Sequence, residues 1–185
     1  MRDDGGVTRR RGLIAAGIAT VLLLLAMAPA DERMQDTGGP GIVPFELAGS
    51  QDRADEILSE WGEEGQDAAR ESLWIDFGFL VAYGTLLTLA VAATRDLART
   101  RGWKRIARIG AVVFFFGALV AAFDAFENIC LLLTLGGAGS VFPFLATLFA
   151  SCKFVLLAAT IAYLLAGLAM RLRDRGPDSM PTGES

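Results

Sequence analysis

No histidine occurs in the 185 residues. The commonest neutral-pH acid–base group and the commonest metal and haem ligand are therefore missing. Only two cysteines are present, Cys130 and Cys152, far apart and with no C-x-x-C spacing. A thiol–disulfide oxidoreductase or an iron–sulfur site is excluded on that count. No serine–histidine, phosphate-loop or metal-ligand motif occurs, so neither a cofactor nor a bound metal is expected. Basic residues form no nucleic-acid footprint, because they sit at the ends of apolar blocks. No nucleic-acid partner is expected.

Charge is scarce in four long stretches and dense between them. The chain is 53% hydrophobic, with a mean hydropathy of +0.44. This blockwise pattern describes membrane spans rather than one soluble core. The spans are expected over 13–30, 72–94, 109–135 and 141–170, long enough for helices crossing a hydrocarbon layer about 30 Å thick, the first marginally so. Alternating ten-residue segments, which a transmembrane barrel needs, are absent. The fold class is all-α: an integral-membrane four-helix bundle.

The first block, preceded by Arg9, Arg10 and Arg11, also resembles a secretory signal with an A-x-A site at Ala26-Met27-Ala28. Pro29 would follow the cut and hinder it, so a retained anchor is preferred. Thr8-Arg9-Arg10 is an incomplete echo of a twin-arginine signal.

The loops set the orientation. Arg95, Arg99, Arg101, Lys104, Arg105 and Arg108 fill the connection over 95–108, against Asp96 alone. Arg2, Arg9, Arg10 and Arg11 precede the first span, and Arg171, Arg173 and Arg175 follow the last. Residues 31–71 hold twelve acids and only Arg33, Arg53 and Arg70. Positive residues stay inside. Both termini, as the tails 1–12 and 171–185, and the loop 95–108 are therefore expected in the cytoplasm. The acidic segment 31–71 and the turn 136–140 would lie outside a bacterial inner membrane. Fifteen arginines against two lysines suit a GC-rich bacterial genome.

Within the acidic segment, residues 31–44 read as flexible, with clustered Gly and Pro. Ser50 can cap a helix, and Ala54, Ile57, Leu58 and Trp61 form one apolar stripe. A short amphipathic helix over 50–62 is expected, ended near Gly62 and Gly65. It would lie on the outer membrane face, or over the bundle mouth, or merely link two spans in solvent. Trp61 and Trp74 are expected at interface depth.

Charges inside spans are costly and mark candidate sites. They are Asp76, Asp124, Glu127 and Lys153, joined by the polar groups of Tyr83, Asn128 and Thr160. Asp124, Glu127 and Asn128 share one helix face through i, i+3 and i+4 spacing. Asp124 and Lys153 each lie eleven residues from the turn joining two antiparallel spans, hence at one depth, about 16 Å below it. Asp76 and Tyr83, seven apart, share a face, with Asp76 shallower. An intramembrane polar cluster of Asp76, Tyr83, Asp124, Glu127, Asn128 and Lys153 follows. No catalytic residue is assigned. One lysine among three acids would carry −2 if all ionised, so at least one acid must hold its proton or meet water. The same residues could serve helix packing alone. Phe114-Phe115-Phe116 reads as lipid or packing surface. The pairs Gly110 with Gly117 and Ala118 with Ala122 read as close helix contacts. The cysteines differ in depth by about 7.5 Å, too far for a disulfide, and read as free buried thiols.

The strings FELAGS, WG at Trp61-Gly62, LWIDFGFLVAYG and FDAFENICLL resemble a group of bacterial multi-pass membrane proteins with no named activity. The resemblance covers about residues 45–153. It implies that Asp76, Tyr83, Asp124, Glu127, Asn128 and Lys153 belong together.

Three functions fit. The first is a binding or assembly component, associated with the lipid bilayer and with a membrane-protein partner or a second copy. The second is an oligomeric small carrier or proton-coupled channel, with Asp124 or Glu127 carrying the proton. Small multidrug carriers share four helices and a membrane glutamate, without a sequence match. The third is an intramembrane enzyme or lipid binder, using acid–base groups on an amphiphile. The absence of catalytic motifs weighs against an enzyme.

Overall fold

The computed structural model describes residues 4–174. The predicted contributions of Arg2 and Arg175 lie outside the described residues. Among those described, six helices and no strand occur: α1 Asp4–Asp36, α2 Ile42–Glu46, α3 Gln51–Thr100, α4 Lys104–Val113, α5 Phe116–Leu135 and α6 Phe142–Arg173. Taking α4 and α5 together, four helices are long and apolar enough to cross a membrane. By that measure the protein is a multi-pass membrane protein.

The long helix α3 is the axis of the bundle. It packs against α1, against α4 and α5, and against α6, while α5 pairs with α6. Small residues let α3 and α5 approach closely. A Cβ placed on Gly84 would lie 2.9 Å from the Ala121 Cβ and 3.0 Å from the Gly117 carbonyl oxygen. Gly110 packs instead beside Tyr163 of α6. Ala118 and Ala122 are exposed, and the close approach to α3 falls on Gly117 and Ala121 instead. Large apolar side chains cover the outside: Leu22, Leu25, Val81, Val112, Phe115 and Val155 are all more than half exposed. That surface suits lipid, which is as apolar as the side chains themselves.

The segment before the second span is more ordered than its Gly and Pro content predicts. The first helix continues through Pro29 to Asp36, and α2 follows five residues later. Asp31 Oδ1 accepts a hydrogen bond from the Ile42 amide at 3.0 Å. Phe45 is fully buried and meets the Trp61 ring at 5.1 Å between centroids. We refer to residues 37–50 as the cap.

Residues 51–61 are helical and open α3, and a break at Gly62, where the expected short helix ends, separates them from the long part of α3. Ser50 caps them through its Oγ, which accepts from the Arg53 amide at 3.3 Å. A kink follows at Gly62, whose φ of 58° favours a residue without a Cβ. Helical geometry then resumes at once. The stripe Ala54, Ile57 and Trp61 is buried, so this turn of helix packs over the bundle mouth. Trp61 is therefore a core residue, its Nε1 donating to the Pro40 carbonyl at 2.6 Å, and not an interface anchor. Trp74 is 63% exposed. Both cysteines are free, Cys130 buried and Cys152 half-buried; the expectation of two buried thiols holds for Cys130 alone.

Candidate functional site: a polar network between the helices

Tyr83 stands on α3, Asp124, Glu127 and Asn128 on α5, and Lys153 on α6. The i, i+3, i+4 spacing on α5 turns its three polar side chains inward together, and each is buried. Lys153 lies opposite them on the antiparallel neighbour. Its Nζ is 2.8 Å from Asp124 Oδ1 and 2.7 Å from Glu127 Oε2. The second oxygen of Asp124 accepts from Tyr83 Oη at 2.5 Å. Asp76 lies on the same inward face of α3 and is buried. Its Oδ2 accepts from Asn128 Nδ2 at 2.6 Å. All six residues singled out from the sequence thus fall into one neighbourhood. Thr160 does not join, because its hydroxyl turns back to the Leu156 carbonyl of its own helix.

One member was not found from sequence. Glu46, the last residue of α2, reaches inward from the cap until its Oε2 is 4.0 Å from Lys153 Nζ. Two further bonds hold it there. Thr147 Oγ1 on α6 donates to the Glu46 carbonyl at 2.9 Å and accepts from the Gly49 amide at 3.0 Å. The signal was a lone carboxylate within IVPFELAG, inside the FELAGS string.

Four carboxyl groups therefore share the network with one ammonium, three of them within 4.0 Å of it and Asp76 joined through Asn128. If all were ionised the network would carry −3, which a buried, weakly polarisable site does not sustain. Protons or another cation must make up the balance. Burial pushes the Glu46 carboxyl above its usual range; the Lys153 ammonium opposes that rise and Asp124 adds to it. Glu127 is the least satisfied member. It is fully buried, and neither of its oxygens has an aligned hydrogen-bond donor, although one touches the ammonium.

The network is not sealed. A groove of about 280 Å³ opens between α3 and α6. Phe79, Leu86, Leu87, Phe154 and Leu157 form its apolar walls, and Tyr83, Asp124 and Lys153 form its polar end. Among the described residues, no three of Asp, Glu and Cys are placed to hold a metal ion.

Comparison with protein-family models, with curated proteins and with solved structures yields no match. The likeness to bacterial multi-pass proteins therefore rests on the apolar helices.

Proposed function

We propose that this protein is a membrane binding component that receives a small, membrane-dissolved molecule in the groove between α3 and α6. The observation that carries this reading is the groove itself, with apolar walls and a polar end formed by Tyr83, Asp124 and Lys153. Ligand sites commonly combine a mostly apolar lining with a few fixed polar groups. The bilayer is the partner from which the molecule enters. The arginine-rich ends of the helices favour cytoplasmic termini, which puts the cap and its acidic helix outside.

The test is a groove-filling substitution, Leu86→Trp. Native mass spectrometry of wild type released from a bilayer is expected to show a retained small lipophile, and the variant is expected to lose it at unchanged melting temperature. Equal retention by both proteins would refute the reading.

A second reading is favoured by one observation. The Lys153 network joins the cap, α3, α5 and α6 at a single point. It could serve to lock an assembly in one packing, with the cap presented to a membrane-protein partner or a second copy. Unchanged bound lipophile together with a large loss of stability on breaking the network would select this reading.

A further inference from the structure

We infer that the molecule taken into the groove is a lipophilic cation, a single-chain amine or quaternary ammonium. This rests on the groove reading above. Three independent features lead to it.

The first is charge complementarity. Glu46, Asp124 and Glu127 lie within 4.0 Å of one resident cation, Lys153, and Asp76 adds a fourth acid through Asn128. Positive charge entering the network relieves a surplus of acid; a carboxylate or phosphate head would add to it. Asp124 is the acid that reaches the groove. It can exchange the Tyr83 hydroxyl on Oδ2 for an ammonium without giving up Lys153 on Oδ1.

The second feature is Glu127. A fully buried carboxylate whose oxygens lack aligned donors is costly to maintain, yet it lies against the ammonium at 2.7 Å. It touches the Lys153 ammonium behind Asp124, so it can release a proton as positive charge enters at Asp124. It acts on the ligand through that exchange, as a positioning residue.

The third is the wall. Phe79, Tyr83 and Phe154 bring three aromatic rings to the groove. The Phe154 ring already carries a cation, with Lys153 Nζ 5.0 Å from its centroid. Ring faces attract ammonium groups within about 6 Å. Apolar Leu86, Leu87 and Leu157 then take the chain.

The experiment uses the full chain in phosphatidylcholine nanodiscs, with empty nanodiscs as the partition control. Radiolabelled decyltrimethylammonium, decanol and decanoate, of matched chain length, are each titrated by flow dialysis, and the unlabelled alcohol and acid are also used as competitors against the cation. Saturable binding of the cation is expected, with neither competitor displacing it. Asp124→Asn and the isosteric Glu127→Gln should each weaken it by about tenfold or more, and Leu86→Trp should abolish it. Glu127→Gln keeps the test decisive if Asp124→Asn does not fold. Equal displacement by decanol or decanoate would overturn the charge preference and leave the groove reading intact. No saturable binding of any of the three would overturn both.

Discussion

Removing the cation of the network should cost far more than removing one of its acids. Lys153→Met leaves Asp124, Glu127 and Glu46 facing each other with no ammonium among them. Breaking a buried ion pair from one side costs about 3–5 kcal/mol, and that range is expected here, limited by the acids taking up protons. Asp124→Asn is milder. Lys153 keeps Glu127 at 2.7 Å, and the new amide oxygen can still accept from Tyr83. A charged hydrogen bond is worth about 1.5–3 kcal/mol, so a loss near that range is expected. The double variant should be more stable than the sum of its parts predicts, by roughly 0.5–3 kcal/mol, as residues in one network couple. Thermal unfolding in a fixed detergent, followed by circular dichroism, gives all four corners of the cycle. Equal, small losses for both single variants would show that the charges are hydrated, and the buried-network description would fail.

Three further outcomes follow from the same packing. Glu46→Gln should stabilise the protein at pH 7.5 and have little effect near pH 4. Burial raises the folded-state carboxyl above its ordinary 4.5, so its contribution is most favourable below that value and declines as pH rises through the folded-state value; a lower melting temperature for the variant at pH 7.5 would contradict this. Gly84→Leu should force α3 and α5 apart, since even a Cβ would meet Ala121 and the Gly117 carbonyl, at a cost of about 1–3 kcal/mol or more, read by the same melting assay. A maleimide added to the folded protein should label Cys152 well before Cys130, the half-buried thiol before the buried one; mass spectrometry of the tryptic peptides checks the order.

Much of the site could be read from sequence because helical geometry is periodic. With α5 and α6 as antiparallel neighbours, counting residues from their turn puts Asp124 opposite Lys153. The i, i+3, i+4 spacing put Glu127 and Asn128 on the same face. Glu46 escaped that logic. Its position depends on how the cap folds back, through Asp31, Thr147 and the Phe45–Trp61 contact. These are long-range contacts with no period. Trp61 was misplaced for the same reason: an amphipathic stripe shows that a face is buried, and does not show whether lipid or protein buries it. The groove was invisible as well, since it depends on how far apart two helices lean, not on which residues they carry.

The position of Lys153 in the chain has a consequence for biosynthesis. The acids gathered round it are made first: Glu46, Asp124 and Glu127 all precede it, and Glu46 does so by more than a hundred residues. A nascent chain that has emerged only as far as α5 therefore holds an acidic interior with no counter-charge of its own. Its contacts can settle only when the last helix arrives with the lysine. The final span is thus the keystone of assembly order, and a chain truncated before it should be retained by membrane quality control while the full-length chain is not.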